Sequence, residues 1–394
     1  MKYLISIIGI LIVLGLAYIV SNNRKDIKFK YIGIMIVLQI LLTLLLLNTK
    51  VGYFIIRAIA VVFEKLLQYA AEWITFVFGG LANEGQAPFF LTVLLPIVFI
   101  SVLIGILQHF KILPFIMRGI GYLLSKVNGM GQLESYNAVA SAMVGQSEVF
   151  ITVKKQLGKL PPNRLYTLCA SAMSTVSMSI VGSYMTMIKP EYVVTALVLN
   201  LFGGFIIASI INPYQVNPDE DILPVEEEEK KQTFFEMIGE YIMDGFKVAI
   251  VVAAMLIGFV ALIAFINGTF DQIFGITFQH LLGYLFAPVA FIMGIPWSEA
   301  VSAGGIMATK LVTNEFVAMV SLTDIADTFS ERTLGILSVF LVSFANFSSI
   351  GIIAGAVKGL DERQGNTVAR FGLKLLYGAT LVSILSGLIV GLII

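Results

Sequence analysis

Long uncharged apolar runs alternate along this chain with short charged connections. Residues 3–20 and 31–48 carry no charge. At about 1.5 Å per residue each is long enough to cross a hydrocarbon layer of about 30 Å as a helix. Arg24, Lys25, Lys28 and Lys30 lie between them. Short loops rich in Lys and Arg stay cytoplasmic, so the N-terminus is expected outside. Met1–Val20 also has the outline of a signal peptide, but no small-residue cleavage site precedes Ser21 and another apolar run follows at once, which predicts a retained first span. In residues 51–80, Arg57, Glu64, Lys65 and Glu72 interrupt the apolar pattern at roughly helical spacing, predicting an amphipathic helix near the interface or against the bundle.

Leu91–Gln108 is a third span, carrying Pro96, and residues 112–126 form a second interfacial helix. Residues 133–158 are too polar to cross and end in Lys154, Lys155 and Lys159, so a re-entrant hairpin fits better than a span. Residues 165–188 form the fourth span, loaded with Ser171, Ser174, Thr175, Ser177, Ser179 and Ser183. Close packing through small residues explains this load, and so does local unwinding that turns carbonyls and hydroxyls toward a polar cavity. Glu191–Ile211 returns as the fifth span.

The acids Asp219, Glu220, Asp221 and Glu226–Glu229 mark an aqueous linker. Beyond it, 247–266 crosses, 272–293 is another interfacial helix around Pro288, and 298–322 is a second short polar hairpin. Residues 333–357 cross back, Lys358, Arg363, Arg370 and Lys374 mark the cytoplasmic side, and 375–394 leaves again. The pattern divides the chain into scaffold helices (1–90), a first transport repeat (91–212), a linker (213–243) and a second repeat (244–394) of opposite orientation. The expected fold is an all-α polytopic membrane protein, about eight transmembrane helices with two re-entrant hairpins in an inverted repeat, plus interfacial helices.

Composition agrees with a bilayer solvent: 58% hydrophobic, 13% charged, mean hydropathy +0.93. The net charge of zero gives no field for nucleic acid. The single cysteine, Cys169, excludes an intramolecular disulfide and multi-cysteine clusters and is read as a core residue. No metal ligand set or cofactor is assigned, and the absence of a His cluster, nucleophile elbow or phosphate loop argues against an enzyme.

Two polar tetrapeptides stand out, Gly145-Gln146-Ser147-Glu148 and Thr313-Asn314-Glu315-Phe316. A carboxylate at the bilayer centre costs at least about 2.5–3.5 kcal/mol, so Glu148 and Glu315 are expected to face a polar cavity. Gln146 and Asn314 beside them add donors and acceptors for a polar ligand. Lys310 is read as a counter-charge or a snorkelling side chain, Glu134 as part of the first hairpin's base, and His109 and His280 as interfacial. The run Ser343-Phe344-Ala345-Asn346-Phe347-Ser348-Ser349-Ile350 offers ring contact beside amide and hydroxyl groups, as a planar polar ligand requires.

These three segments, in this order, resemble signature motifs of the concentrative nucleoside transporters, and the resemblance extends over essentially the whole chain, toward the bacterial nucleoside permease branch. It implies cation symport of nucleosides (uridine, cytidine, adenosine class) across the bacterial cytoplasmic membrane by a homotrimer whose subunits each hold a site. By similarity, Gln146, Ser147 and Glu148 come from the first hairpin, with Gln146 and Glu148 on the nucleobase side. Glu315, Asn346 and Ser349 hold the ribose hydroxyls, and Phe344 and Ile180 pack on the ligand. Sodium-dependent relatives place the ion at positions corresponding to Ser141, Val144, Ser147, Thr175 and Val176. The chain departs from their Asn-x-x-x-Gly-Gln-Thr-Glu pattern, with Ser141 at the Asn position and Ser147 at the Thr position; the permease branch implies H+, with Na+ coupling as the alternative. A channel for small polar solutes is the alternative reading of the same polar residues.

Overall fold

In the computed structural model the described residues are 2–82, 88–216 and 232–394, and they are helices joined by short connections, with no strand among them. The acidic run of the linker lies outside the described residues.

The first two spans are α1 (Lys2–Ile19) and α2 (Phe29–Asn48). The amphipathic α3 (Lys50–Phe78) starts at Thr49, whose side chain accepts from the Gly52 N–H at 3.0 Å. Its buried positions, Gly52, Ile56, Phe63 and Ala70, fall on one helical stripe, while Arg57, Glu64, Lys65 and Glu72 are exposed.

A π-helical turn, Phe90–Leu94, opens the third span and runs into α4 (Pro96–His109). Pro96 supplies no N–H and its ring crowds the carbonyl four residues back, so the turn before it widens. Then come α5 (Ile112–Asn128) and the first hairpin: α6 (Gln132–Val144), a turn at 145–148, and the short α7 (Val149–Thr152) and α8 (Lys154–Leu157). The hairpin's base is tied by a buried ion pair. Arg164 donates from Nε to Glu134 Oε1 at 2.5 Å and from Nη2 to Oε2 at 3.0 Å, and Tyr214 OH donates to Oε1 at 3.0 Å.

The fourth span is broken, into α9 (Pro162–Ser174) and α10 (Met178–Met187), and α11 (Pro190–Ile211) follows whole. Of the two readings of the serine-rich span, unwinding therefore holds at Thr175–Ser177.

In the second half α12 (Phe234–Phe274) has 41 residues, much longer than the 247–266 crossing expected. Glu236, Glu240 and Asp244 recur every fourth residue, so the polar stretch that reads as linker is one face of a helix projecting beyond the apolar segment. A capping box between Thr233 and Glu236 starts it. Next comes α13 (Phe278–Ile292). It turns through 116° into α14 (Trp297–Val312) and lies against it through small residues: a Cβ on Gly304 would meet the Ala287 nitrogen at 2.9 Å.

The second hairpin closes with α15 (Glu315–Asp324). The expected 333–357 crossing is also broken, into α16 (Glu331–Leu341) and α17 (Phe347–Leu360). Finally α18 (Glu362–Ile393) begins 13 residues before the expected 375, so Arg363, Arg370 and Lys374 lie on the helix itself. Asp361 caps it, accepting from the Gln364 N–H at 2.9 Å.

Burial sorts these helices. The most hydrophobic windows of α9–α10, α11 and α18 are 89%, 83% and 78% buried, whereas that of α12 is 6% buried. An apolar helix left uncovered by its own chain belongs against lipid or another apolar surface, so α12 is peripheral and the broken and buried helices form the core. The element order helix, helix, hairpin, broken helix, helix occurs in 96–211 and again in 234–393.

Candidate functional site

Four interruptions of helical backbone are the polar heart of the molecule: the hairpin turns at 145–148 and 313–314, and the breaks at 175–177 and 342–346. Each frees backbone groups that a helix would pair internally, which buried protein or a polar cavity must satisfy.

Hydrogen bonds join all four. Ser177 Oγ donates to the Val144 carbonyl at 3.4 Å, linking the first hairpin to the first break. The Phe344 N–H donates to the Thr175 carbonyl at 3.2 Å, linking the two breaks. Asn346 Nδ2 donates to Glu315 Oε2 at 3.3 Å, linking the second break to the second hairpin.

Local chemistry explains the shapes. Gly145 has φ 121°, a conformation closed to L side chains, and a Cβ there would lie 2.7 Å from Glu148 Oε2. Ser177 caps α10, Asn314 caps α15 by accepting from the Val317 N–H at 2.9 Å, and Asn346 caps α17 by accepting from the Ser349 N–H at 3.0 Å. Asn314 Oδ1 is thus engaged with its own helix.

Glu315 is buried, 5% exposed, at the first position of α15. Tyr184 OH donates to its Oε1 at 2.9 Å, and Tyr184 itself is fully buried with its ring 5.0 Å from that of Phe316. The carboxyl group therefore has two neutral donors, Tyr184 and Asn346, and no described ion pair. Lys310 is fully buried, which removes the snorkelling reading. Its ammonium is hydrogen-bonded to Phe340, Ser343 and Ser383 rather than to Glu315.

The remaining predicted residues fall around this chain of contacts. Gln146 and Ser147 are half-buried and Glu148 is exposed, at the start of α7. Ile180 lies buried in the first turn of α10, Phe344 is half-buried, and Asn346 and Ser349 are buried. Two buried polar atoms lack a protein partner here, Gln146 Oε1 and Ser349 Oγ. Unpaired buried polar atoms cost about 1–3 kcal/mol each and mark where a ligand or water completes the site. The described hydrogen bonds reach from the first hairpin to Glu315 only through Val144 and the two breaks.

Among the ion candidates, Ser141 Oγ donates to the Asn137 carbonyl at 2.7 Å and Thr175 Oγ1 to the Ser171 carbonyl at 3.0 Å. Val144 is half-buried and Val176 fully buried. His109, His280 and Cys169 lie outside the cluster, the histidines exposed and the thiol buried.

Sequence reasoning missed Tyr184, Arg164 and Tyr214. A tyrosine or arginine inside an apolar run signals that a partner exists, but the partners are 131, 30 and 80 residues away.

Known proteins share this architecture throughout. Three family profiles tile the chain: Na+ dependent nucleoside transporter N-terminus over residues 8–81, nucleoside recognition over 90–191, and Na+ dependent nucleoside transporter C-terminus over 192–391. The purine nucleoside transport protein NupG of Bacillus subtilis (strain 168) is 37% identical over 396 residues, covering 100% of both chains. The nucleoside permease NupC of Helicobacter pylori is 30% identical over 412 residues, 99% of this chain and 98% of that protein. The structure of CNTnw in an inward-facing substrate-bound state matches with a TM-score of 0.93 at 28% identity, covering 100% of this chain and 98% of that one. A variant of CNTnw in an outward-facing state matches with a TM-score of 0.94 at 29% identity, covering 100% and 98%. On the helices, the two hairpins and these full-length matches, the chain belongs to the concentrative nucleoside transporter family, in its bacterial nucleoside permease branch.

Proposed function

We propose that this protein is a secondary active transporter that imports nucleosides by symport with protons, through alternating access. The observation that carries this reading is Glu315: a buried carboxyl held by Tyr184 and Asn346, with no ion-pair partner among the described residues, beside the unsatisfied Ser349 hydroxyl. A ribose diol is a fitting partner for such a group, because hydroxyl-to-carboxylate hydrogen bonds are short and strong.

In this reading Glu315, Asn346 and Ser349 hold the ribose. Gln146 and Glu148, with Ser147 between them, face the base, and Ile180 and Phe344 pack on the ligand. Because the 37%-identical relative is a purine nucleoside transport protein, purine nucleosides belong to the substrate class alongside uridine and cytidine. Residues 91–212 and 244–394 act as two inverted transport repeats on the scaffold of 1–90, joined by the linker 213–243. The working unit is a homotrimer in the bacterial cytoplasmic membrane.

Proton coupling is supported by the engagement of the oxygens around 141–177. The Val144 and Thr175 carbonyls accept from Ser177 and Phe344. A sodium ion would have to share these two carbonyls, whereas a carboxyl such as Glu148, beside them in the hairpin turn, takes a proton without drawing on them. Sodium coupling is the second reading, favoured by the Na+ dependent description of the matching profiles.

Equilibrium binding of labelled uridine and inosine to the purified protein tests the site. Saturable binding that is lost in Glu315→Gln supports it, and absence of binding by the unaltered protein overturns it.

A further inference from the structure

The break at 342–346 leaves carbonyls at the end of α16 that helical pairing no longer satisfies. Two buried side chains from other helices take them. Lys310 Nζ, on α14, donates to the Phe340 carbonyl at 2.5 Å, and Asn200 Nδ2, on α11, donates to the Val342 carbonyl at 2.5 Å. Both are anchored on one face of α18: Ser383 Oγ lies 3.1 Å from Lys310 Nζ, and Ser386 Oγ donates to Asn200 Oδ1 at 2.7 Å.

The Lys310 end of this network has a definite proton arrangement. An ammonium has three N–H donors, and three acceptors surround it: the Phe340 carbonyl, Ser343 Oγ at 2.7 Å and Ser383 Oγ at 3.1 Å. The hydroxyl protons point elsewhere. Ser383 Oγ donates to the Ala379 carbonyl at 3.2 Å, and Ser343 Oγ lies 2.8 Å from Ser383 Oγ, which leaves Ser343's proton for that contact. Lone pairs therefore face the nitrogen from both serines. The Phe340 ring lies 4.4 Å from it, adding a favourable quadrupole. One carbonyl, two hydroxyls and a ring face around a fully buried point charge, at a helix break, form the coordination shell of a small monovalent cation, filled here by the chain's own side chain.

We propose that Lys310 is a tethered cation, a positioning residue that holds the α16–α17 break in the shape that presents Phe344 and Asn346 to the nucleoside. Phe344 follows Ser343, one of the ammonium's acceptors, and Asn346 lies two residues further on. Losing the charge lets the break relax while the hairpin and the helices remain packed. This rests on the nucleoside-site reading above.

Lys310→Met keeps the length and the burial and removes the charge and the donors. Binding isotherms of labelled nucleoside to purified protein separate affinity from the number of competent sites. The expected result is a Kd raised about tenfold or more with an unchanged number of sites. An unchanged Kd with fewer sites means a merely structural role and overturns the proposal, as does an unchanged isotherm. If Lys310→Met does not fold, Ser383→Ala decides: removing one of three acceptors is expected to raise Kd several-fold, and an unchanged Kd overturns the proposal. Failure of the unaltered protein to bind any nucleoside is a different result, because it removes the site reading and this inference with it.

Discussion

The Phe344 N–H donates to the Thr175 carbonyl at 3.2 Å, so the break in one span is sewn to the break in its counterpart. Both carry residues assigned above to ligand or ion. A backbone contact between them gives the two halves a direct physical link, which the alternating access proposed above would use.

Replacing Glu315 with Gln keeps the shape and removes the charge. Uptake of labelled uridine in cells lacking their own nucleoside transporters should fall to background, while immunodetection finds the protein in the membrane at an ordinary level. Near-normal uptake would remove Glu315 from the site.

Tyr184→Phe deletes one hydroxyl and retains the ring packed on Phe316. A hydrogen bond to an ionised group contributes about 1.5–3 kcal/mol, so nucleoside affinity should weaken by roughly tenfold or more. Tyr184 then acts through Glu315, and in a Glu315→Gln background the second change should add little further effect.

Gly145→Ala places a side chain at φ 121° and 2.7 Å from Glu148 Oε2. Such backbone strain costs about 1–3 kcal/mol, and the turn relieves it by moving Gln146 and Glu148. Uptake should drop by about tenfold or more with expression retained. Full activity would mean that the turn carries no ligand.

Arg164→Met leaves Glu134 buried without its charged partner, with Tyr214 still donating to it. Leaving one partner of a buried ion pair alone costs about 3–5 kcal/mol, so thermal stability in detergent should fall clearly. The folded fraction should bind nucleoside with near-normal affinity, because the pair lies at the hairpin's base. A changed affinity with unchanged stability would assign it to the site instead.

Most spans were legible from charge-free length alone, because a bilayer forces every backbone group into a helix. The interruptions were harder. Residues 333–357 contain no proline and read as one crossing, although Asn346 before an apolar run is an N-cap signal that marks a new helix start. The polar stretch at 236–243 reads as linker because its charges stand out more than their four-residue spacing. Glu148 and Glu315 stand out as costly charges, while Tyr184, Arg164 and the acceptors of Lys310 do not, since their partners come from distant sequence. The energetic cost of a buried polar group can be read from a sequence, but who satisfies it is a matter of packing.

Purified protein in sealed proteoliposomes, with proton and sodium gradients imposed separately, tests the account most directly. An inward proton gradient without sodium should drive labelled nucleoside above its external concentration, and a protonophore should abolish this. Accumulation driven by sodium alone, or equilibration that no gradient can raise, would contradict it.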